Sequence, residues 1–426
     1  MTRNLRAAPT VQIYRVGGSV RDELLGRAGG DRDWVIVGAT PEILIASGYR
    51  PVGRDFPVFL HPETREEYAL ARTERKHGTG YRGFEFFASP DVTLLQDLER
   101  RDLTINAMAR GDDGVLVDPY GGQTDLAARL LRHVSPAFVE DPLRVLRVAR
   151  FAARLNFTVA PETEALMRAI VTSGELATLA PERVWQELAK GLAEPAPSRM
   201  LAVLRACGAL QQILPEVDAM FGVAPSAPHD GAPVTDLPDA GVRMARALDW
   251  AAGHGATLPA RYAVLLHDLG LATLPRDARR LPQALTARSV GVAERVSVRL
   301  KVPLECQDAA RLAARWGRTV RHATELRAAK LLDLLHATDA LRRPARLEAL
   351  LEAGAADVCS RPGAPQEFPP APLLREALAI VKTVDAGAVA RVAGSTTFAR
   401  NGADAVAKAV RAARLKALRA WRQNRR

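Results

Sequence analysis

Asp31 and Asp33 flank a single arginine in Asp31-Arg32-Asp33, and the apolar run Trp34-Val35-Ile36-Val37 follows directly. In a strand, residues two apart point to the same face, so the two carboxylates can close on one hard cation while Arg32 points away. At that range they repel each other unless a cation lies between them. Mg²⁺ is such a cation, commonly held by one or two carboxylates together with the phosphates of a substrate. Just upstream, Gly17-Gly18-Ser19-Val20-Arg21-Asp22 reads as a glycine turn leading from a strand into a helix. The turn lets backbone approach a phosphate closely, and the helix start offers free N–H groups. The chemistry predicted is metal-assisted transfer on a nucleoside triphosphate. The alternative is a solvated strand end with two surface aspartates, and the neighbouring glycine turn and Arg21 weigh against it.

Positioning such a pair takes a small sheet. Short segments rich in β-branched or aromatic residues predict strands at Val11 to Val16, Asp33 to Val37, Phe56 to His61 and Glu67 to Arg72, with helices between them. After Glu140 the chain reads as amphipathic Ala/Leu/Arg helices broken by Pro or Gly. Pro- and Gly-rich stretches at 223–238 and 360–372 divide these helices. The fold class predicted is α+β, with a small mixed sheet in an N-terminal domain over 1–135 and helical segments over 136–222, 223–359 and 360–426.

The chain of 426 residues, 48% hydrophobic, can bury a large core and divides into two to four domains. Its net charge of +11 favours a polyanionic partner, nucleic acid first, against the simpler reading of solubility in an arginine-rich chain. Cys207, Cys306 and Cys359 lie far apart without metal-ligand spacing, as expected of thiols in a reducing compartment. The first residues lack the apolar core of a signal peptide, and no run reaches the length of a membrane span. A cytoplasmic protein without a membrane partner is expected.

Two further segments carry charge at suggestive spacing. Arg100-Arg101-Asp102-Leu103-Thr104-Ile105-Asn106-Ala107 reads as a helix whose polar residues Arg101, Asp102 and Asn106 recur at i, i+1 and i+5. In Glu140-Asp141-Pro142-Leu143-Arg144-Val145-Leu146-Arg147-Val148-Ala149-Arg150-Phe151, the arginines fall three apart and line one helix flank, while Leu143, Leu146 and Phe151 pack inward. Such a row repels itself unless anions lie nearby. Together with Gly17 to Asp22, Asp31 to Trp34, Gly53 to His61 and Glu66 to Lys76, and in this order, these segments resemble the bacterial CCA-adding enzymes. Those are class II tRNA nucleotidyltransferases of the DNA polymerase β superfamily. The resemblance runs from about Tyr14 to Gly222.

The resemblance implies a nucleotidyltransferase head over 1–135 and a nucleotide-selecting, RNA-binding neck over 136–222. It makes Asp31 and Asp33 the catalytic pair, holding the Mg²⁺ that activates the tRNA 3′-hydroxyl and bridges the triphosphate. Gly18 and Arg21 then meet the nucleotide phosphates, and Arg101 the ribose and phosphates, with Asp102 and Asn106 in support. Asp141 and Arg144 form a template for the base. Cytosine and adenine both present an exocyclic amine beside a ring-nitrogen acceptor, which a carboxylate and a guanidinium can pair. Uracil and guanine reverse that pattern, at a cost of roughly 1–3 kcal/mol for each group left unpaired. Glu140 orients the pair, and Arg147 and Arg150 continue to the triphosphate or the tRNA end. The segment His77 to Gly83 corresponds to a mobile loop that helps the switch from C to A.

The activity implied is addition of C, C and A from CTP and ATP to the tRNA 3′ end, releasing pyrophosphate, by a monomer or homodimer. Bacterial poly(A) polymerase shares the catalytic motifs, but Gly53-Arg54-Asp55-Phe56-Pro57-Val58 fits the CCA-adding pattern better. A non-catalytic tRNA-binding protein is a third reading, disfavoured by the carboxylates standing with the arginine row.

Farther on, His267-Asp268-Leu269-Gly270 after the apolar Tyr262 to Leu266 resembles the signature of an HD phosphohydrolase. That family places another histidine where this chain has Arg243, and more where it has Leu281 to Ala287. His229 and His254 do not fit the spacing. An HD-like helical domain with a vestigial metal site at His267 and Asp268, its phosphohydrolase activity lost, is therefore expected. The basic helix from Ala405 to Arg426 is either available to tRNA phosphates or simply solvated.

Overall fold

The computed structural model describes residues 11–27, 32–52, 58–76, 84–224, 238–275, 277–395 and 402–425. Asp31, His229 and the segments 53–57 and 77–83 lie outside the described residues. The chain divides into two compact units, one formed by 1–191 with 199–213 and the other by 192–198 with 214–426.

Besides a short parallel pair, Leu130–Leu131 with Thr158–Val159, the described residues of the first unit contain nine strands: β1 Gln12–Val16, β2 Asp33–Val37, β3 Arg50–Val52, β4 Val58–Leu60, β5 Glu67–Leu70, β6 Arg72–Lys76, β7 Phe84–Ala88, β8 Ala109–Gly111 and β9 Leu116–Val117. Seven form a mixed sheet in the order β3-β4-β5-β2-β1-β8-β9, in which only β2 and β5 run parallel. The remaining two, β6 and β7, form an antiparallel hairpin. Alternation along the strands buries both faces of the sheet. Ile13, Ile36 and Leu70 join one apolar cluster, while Val16, Val35 and Ala71 join another with Leu98 and Ala107. Asp33 lies two residues before Val35, on the face of that second cluster, and pairs in register with Val16. The glycine turn therefore leaves β1 directly beside Asp33.

Helix α1, Gly18–Leu24, follows the turn, and α2, Leu94–Glu99, is closed at its start by a capping box between Thr93 and Gln96. The helix expected over Arg100 to Ala107 does not form. The α2 helix stops at Arg100, Leu103 makes an isolated bridge to His133, and Thr104–Asn106 closes a single 3-10 turn. Asp102 is the cause: its Oδ1 accepts from the Leu103 N–H at 2.8 Å, a local bond that competes with a helix. Helix α3 spans Leu143–Leu155, so Glu140 and Asp141 precede it. Pro142 forces that late start by driving Asp141 out of the helical region, to φ −113° and ψ 103°. Leu143, Leu146 and Phe151 are buried as expected. Helix α4, Pro181–Ala193, packs beyond it. The strand expected over Glu67 to Arg72 divides at Ala71.

The second unit is helical. It includes α5 Ala240–Gly253, α6 Leu258–Leu266, α7 Leu304–Arg321, α8 Ala328–Ala337, α9 Pro344–Cys359, α10 Pro370–Lys382 and the terminal α11 Gly402–Asn424. No helix among the described residues is long and apolar enough to cross a membrane. The basic α11 packs on its neighbours with part of its charge paired, while Lys416 and Arg419 stay exposed. Arg411 pairs with Asp333 at 2.7 Å, Arg414 meets His336 at 3.2 Å, Arg425 pairs with Glu376 at 2.5 Å, and Leu418 is fully buried.

Candidate active site

Within the first unit, the end of β1, the turn after α2 and the flank of α3 enclose a cavity of about 520 Å³. Nine arginines and three aspartates line it, so its walls are strongly cationic. The aspartates are Asp33, Asp102 and Asp141.

A continuous set of charge-assisted hydrogen bonds holds the cavity open. Arg147 Nε donates to Asp102 Oδ2 at 2.7 Å, and Asn106 Nδ2 donates to Asp102 Oδ1 at 3.0 Å. Asn106 Oδ1 in turn accepts from Arg21 Nη1 at 2.5 Å. Arg21 also donates to Asp22 through Nε at 2.9 Å and Nη2 at 3.1 Å, and Arg154 reaches the same carboxylate at 2.8 Å. Burial alone would raise the Asp102 carboxyl, but the Arg147 charge and the Asn106 hydrogen bond hold it well below the usual carboxylate range. Arg21 is only 2% exposed, and burial lowers its pKa despite Asp22. Its guanidinium stacks on Phe151 at 5.1 Å, and Arg150 lies over the same ring at 4.7 Å.

The other arginines are held in the same way. Arg100 and Arg101 share Asp97, at 2.6 and 3.0 Å, and that carboxylate is completely buried. Arg150 pairs with Glu187 of α4 at 2.8 Å. Arg144 donates to the carbonyls of Ala137 at 2.9 Å and Arg100 at 2.6 Å, which leaves three of its five N–H groups unassigned by those bonds. Asp141 accepts from the Leu143 N–H at 3.0 Å and from Arg183 at 3.4 Å. The anions that the arginine row requires are thus supplied by the protein. Asp22, Asp97 and Glu187 were not singled out in the sequence, and neither were Arg154 and Arg183. Arg154 stands four residues after Arg150 on the same helix flank and was legible there; the buried carboxylates carry no local signal.

Asp33 is exposed in the cavity wall and offers the hard oxygen donor that Mg²⁺ prefers. Gly17, rather than Gly18, is the position that demands glycine. Its φ is +65°, and a Cβ there would stand 2.8 Å from Arg101 Nη1, whereas one on Gly18 would meet only Arg21 Nη2 at 3.5 Å. Gly17→Ala is expected to destabilise the unit by about 1–3 kcal/mol and to displace Arg101. Urea unfolding and the KM for CTP should both register it, with Gly18→Ala close to wild type in each.

The second unit carries a separate charged cluster. His267 Nε2 lies 3.4 Å from Asp268 and 3.9 Å from Asp357 of α9, a carboxylate absent from the sequence reading. Burial alone would lower the His267 pKa, but the two carboxylates push it up to about 9. His254 stands apart, stacked on Trp250 at 3.7 Å.

Comparison with known proteins places this architecture among relatives. Residues 13–132 match the family described as the poly A polymerase head domain, and residues 156–221 match a probable RNA and SrmB-binding site of polymerase A. The chain is 55% identical over 391 residues to a multifunctional CCA protein of Burkholderia mallei, covering 89% of this chain and 93% of the relative. It is 53% identical over 414 residues to a multifunctional CCA protein of Methylobacillus flagellatus, covering 96% and 97%. Among solved structures, the Bacillus stearothermophilus CCA-adding enzyme in complex with CTP matches at a TM-score of 0.62 and 25% identity, over 94% of this chain and 88% of that one. A CCA-adding enzyme in complex with ATP shares the fold at a TM-score of 0.61 and 21% identity, over 96% and 86%.

Proposed function

Because this chain belongs to the family of multifunctional CCA proteins, the CCA-adding tRNA nucleotidyltransferases, we propose that its arginine-lined cavity receives the triphosphate of CTP or ATP, with Asp33 and Asp31 holding Mg²⁺ beside it. Bound there, Mg²⁺ lowers the pKa of the tRNA 3′-hydroxyl and neutralises charge on the departing pyrophosphate. The observation that carries the reading is the convergence of nine arginines on one cavity that also contains Asp33. Seven of them pair with carboxylates: Arg21 and Arg154 with Asp22, Arg100 and Arg101 with Asp97, Arg147 with Asp102, Arg150 with Glu187 and Arg183 with Asp141. Fixed positive charge meets the charge that develops on the triphosphate without first having to reorganise. Arg21, at the cavity wall beside Gly18, meets the phosphates and also orients Asn106.

Base selection falls to Asp141 and Arg144. The Leu143 N–H and Arg183 fix the direction of the Asp141 carboxylate, which accepts the exocyclic amine of cytosine or adenine. Arg144, anchored on two carbonyls, presents its remaining donors to the ring nitrogen. Glu140 ends the short turn that supplies the Ala137 carbonyl and so supports Arg144 through the backbone. In the second unit, Arg243 stands where a further histidine is expected, and phosphohydrolase activity is lost.

Incubation with tRNA lacking its last three nucleotides tests the reading. CTP alone should add two residues, CTP with ATP should complete C, C and A, and ATP alone should add little. Long A tracts without C incorporation would replace this function with poly(A) polymerase. Asp141→Ala and Arg144→Ala should raise misincorporation of UTP or GTP relative to CTP by roughly 5- to 150-fold, the equivalent of 1–3 kcal/mol of lost discrimination.

A further inference from the structure

Asp97, fully buried in α2, does not line the cavity of the first unit, yet it divides its two oxygens between two arginines that do. Oδ1 accepts from Arg100, through Nη2 at 2.6 Å and Nε at 3.2 Å, and from the Arg72 N–H at 3.4 Å. Oδ2 accepts from Arg101 Nη2 at 3.0 Å. Burial alone would raise this carboxyl, but the charges of Arg101 and Arg100 hold it below its ordinary value, so it stays ionised between them.

The two arginines lead to different parts of the cavity. Arg101 stands against the glycine turn: its Nη1 donates to the Asn106 carbonyl at 3.3 Å and lies 2.8 Å from where a Cβ on Gly17 would be. Arg100 leads to Arg144. Its Nε also donates to the Arg72 carbonyl at 3.0 Å, so the side chain is held from two sides. Its own carbonyl accepts from Arg144 Nη2 at 2.6 Å, the shorter of the two bonds that aim that guanidinium. Hydrogen bonds weaken steeply with misalignment, so Arg144 can tell donor from acceptor on a base only while this carbonyl keeps its place.

We propose that Asp97 is a positioning residue for base selection, acting on Arg144 through Arg100 while its other oxygen sets Arg101 for the triphosphate. The inference rests on the reading of the base by Asp141 and Arg144. One buried carboxylate thereby keeps the base-reading and the phosphate-holding arginines in register. An amide offers one acceptor oxygen where the carboxylate offers two, so Asp97→Asn can hold Arg100 or Arg101 but not both.

The test is incorporation of CTP and of UTP, each alone, into tRNA lacking its last three nucleotides, over a range of nucleotide concentrations that gives kcat and KM for both. Asp97→Asn should lower the CTP-to-UTP ratio of kcat/KM about tenfold and raise KM for both nucleotides. Arg100→Lys keeps a charge on Asp97 but lacks the fork that also reaches the Arg72 carbonyl, and should lower the same ratio. Arg101→Lys should raise both KM values and leave the ratio as it is. A fold loosened in general slows both nucleotides alike, so the ratio separates positioning from stability. Asp97→Asn combined with Arg144→Ala should discriminate no worse than Arg144→Ala alone, since both act through one guanidinium. With discrimination lost in Arg144→Ala, the proposal is overturned by a wild-type ratio in Asp97→Asn, or in Arg100→Lys if the asparagine variant does not fold. A double variant that discriminates worse than Arg144→Ala also overturns it. A wild-type ratio in Arg144→Ala itself overturns the base-reading assignment, and this inference with it.

Discussion

Replacing Asp33 by alanine is expected to cut nucleotide addition on the order of a thousandfold while leaving CTP binding close to that of the wild type. The side chain is exposed at the start of β2, so its removal sacrifices no packing. The nine arginines of the cavity remain to hold the triphosphate. What disappears is a ligand to the Mg²⁺ proposed to activate the 3′-hydroxyl, a contribution of several kcal/mol, so the rate should fall on the order of a thousandfold. Single-turnover incorporation at saturating CTP measures the rate, and titration with a fluorescent CTP analogue measures affinity. A rate within tenfold of wild type would remove Asp33 from the metal site. A parallel collapse in affinity would make it a binding residue instead.

Asp102→Ala carries the second large effect, and it acts on stability and catalysis together. The carboxylate is 6% exposed and supports Arg147 and Asn106 at once, so its loss leaves both without their anchor. Unsatisfied partners of a buried, charge-assisted hydrogen bond cost roughly 1–3 kcal/mol, and the incompletely buried Arg147 keeps the figure within that range. The depressed pKa gives a second signature. A carboxyl held low in the folded state contributes stability that is present above its unfolded value, near 4, and is lost as the pH falls toward the folded value. Wild-type protein should therefore lose stability on acidification below about pH 4 more steeply than Asp102→Asn, which has no such titration. Urea midpoints between pH 7 and pH 3 test this, and parallel curves for the two proteins would contradict it. Activity should fall in Asp102→Asn as well, since the neutral amide cannot hold the Arg147 guanidinium as firmly.

The sequence carried the chemistry of this site more fully than its shape. The glycine turn, the strand beginning at Asp33 and the spacing of Arg144, Arg147 and Arg150 are local patterns, and local patterns survive into the fold. The partners of those arginines do not come from local pattern. Asp97 sits in a short helix, and Glu187 lies 37 positions beyond Arg150 in an amphipathic helix that also carries exposed charges such as Glu182 and Lys190. Only tertiary packing distinguishes such carboxylates from solvated ones. The misread helix at Arg100 to Ala107 has the same origin. Its composition permits a helix, but the Asp102 side chain takes the Leu103 N–H, and the Leu103 bridge to His133 fixes an extended path. The same holds for Asp357, which lies 89 positions from Asp268 and joins His267 only through the packing of α9. In the C-terminal helix, charge pattern alone suggested a reach toward RNA, where the structure gives Arg411 and Arg425 carboxylates of neighbouring helices.

The bonds that frame the arginine-lined cavity span long stretches of chain. Arg147 reaches back 45 positions to Asp102, Arg21 reaches forward 85 to Asn106, and Arg154 returns 132 to Asp22. Closing each of these loops costs chain entropy that only the finished network returns, and contacts of such separation form slowly. During synthesis, then, the sheet around β1 and β2 can begin to gather while the cavity is still absent. The cavity waits for α4, which brings Arg183 to its wall and Glu187 to Arg150, more than 180 residues along the chain. A fragment ending before Arg154 would carry Asp33 while lacking Arg154 and Arg183 of the cavity wall and the Glu187 partner of Arg150.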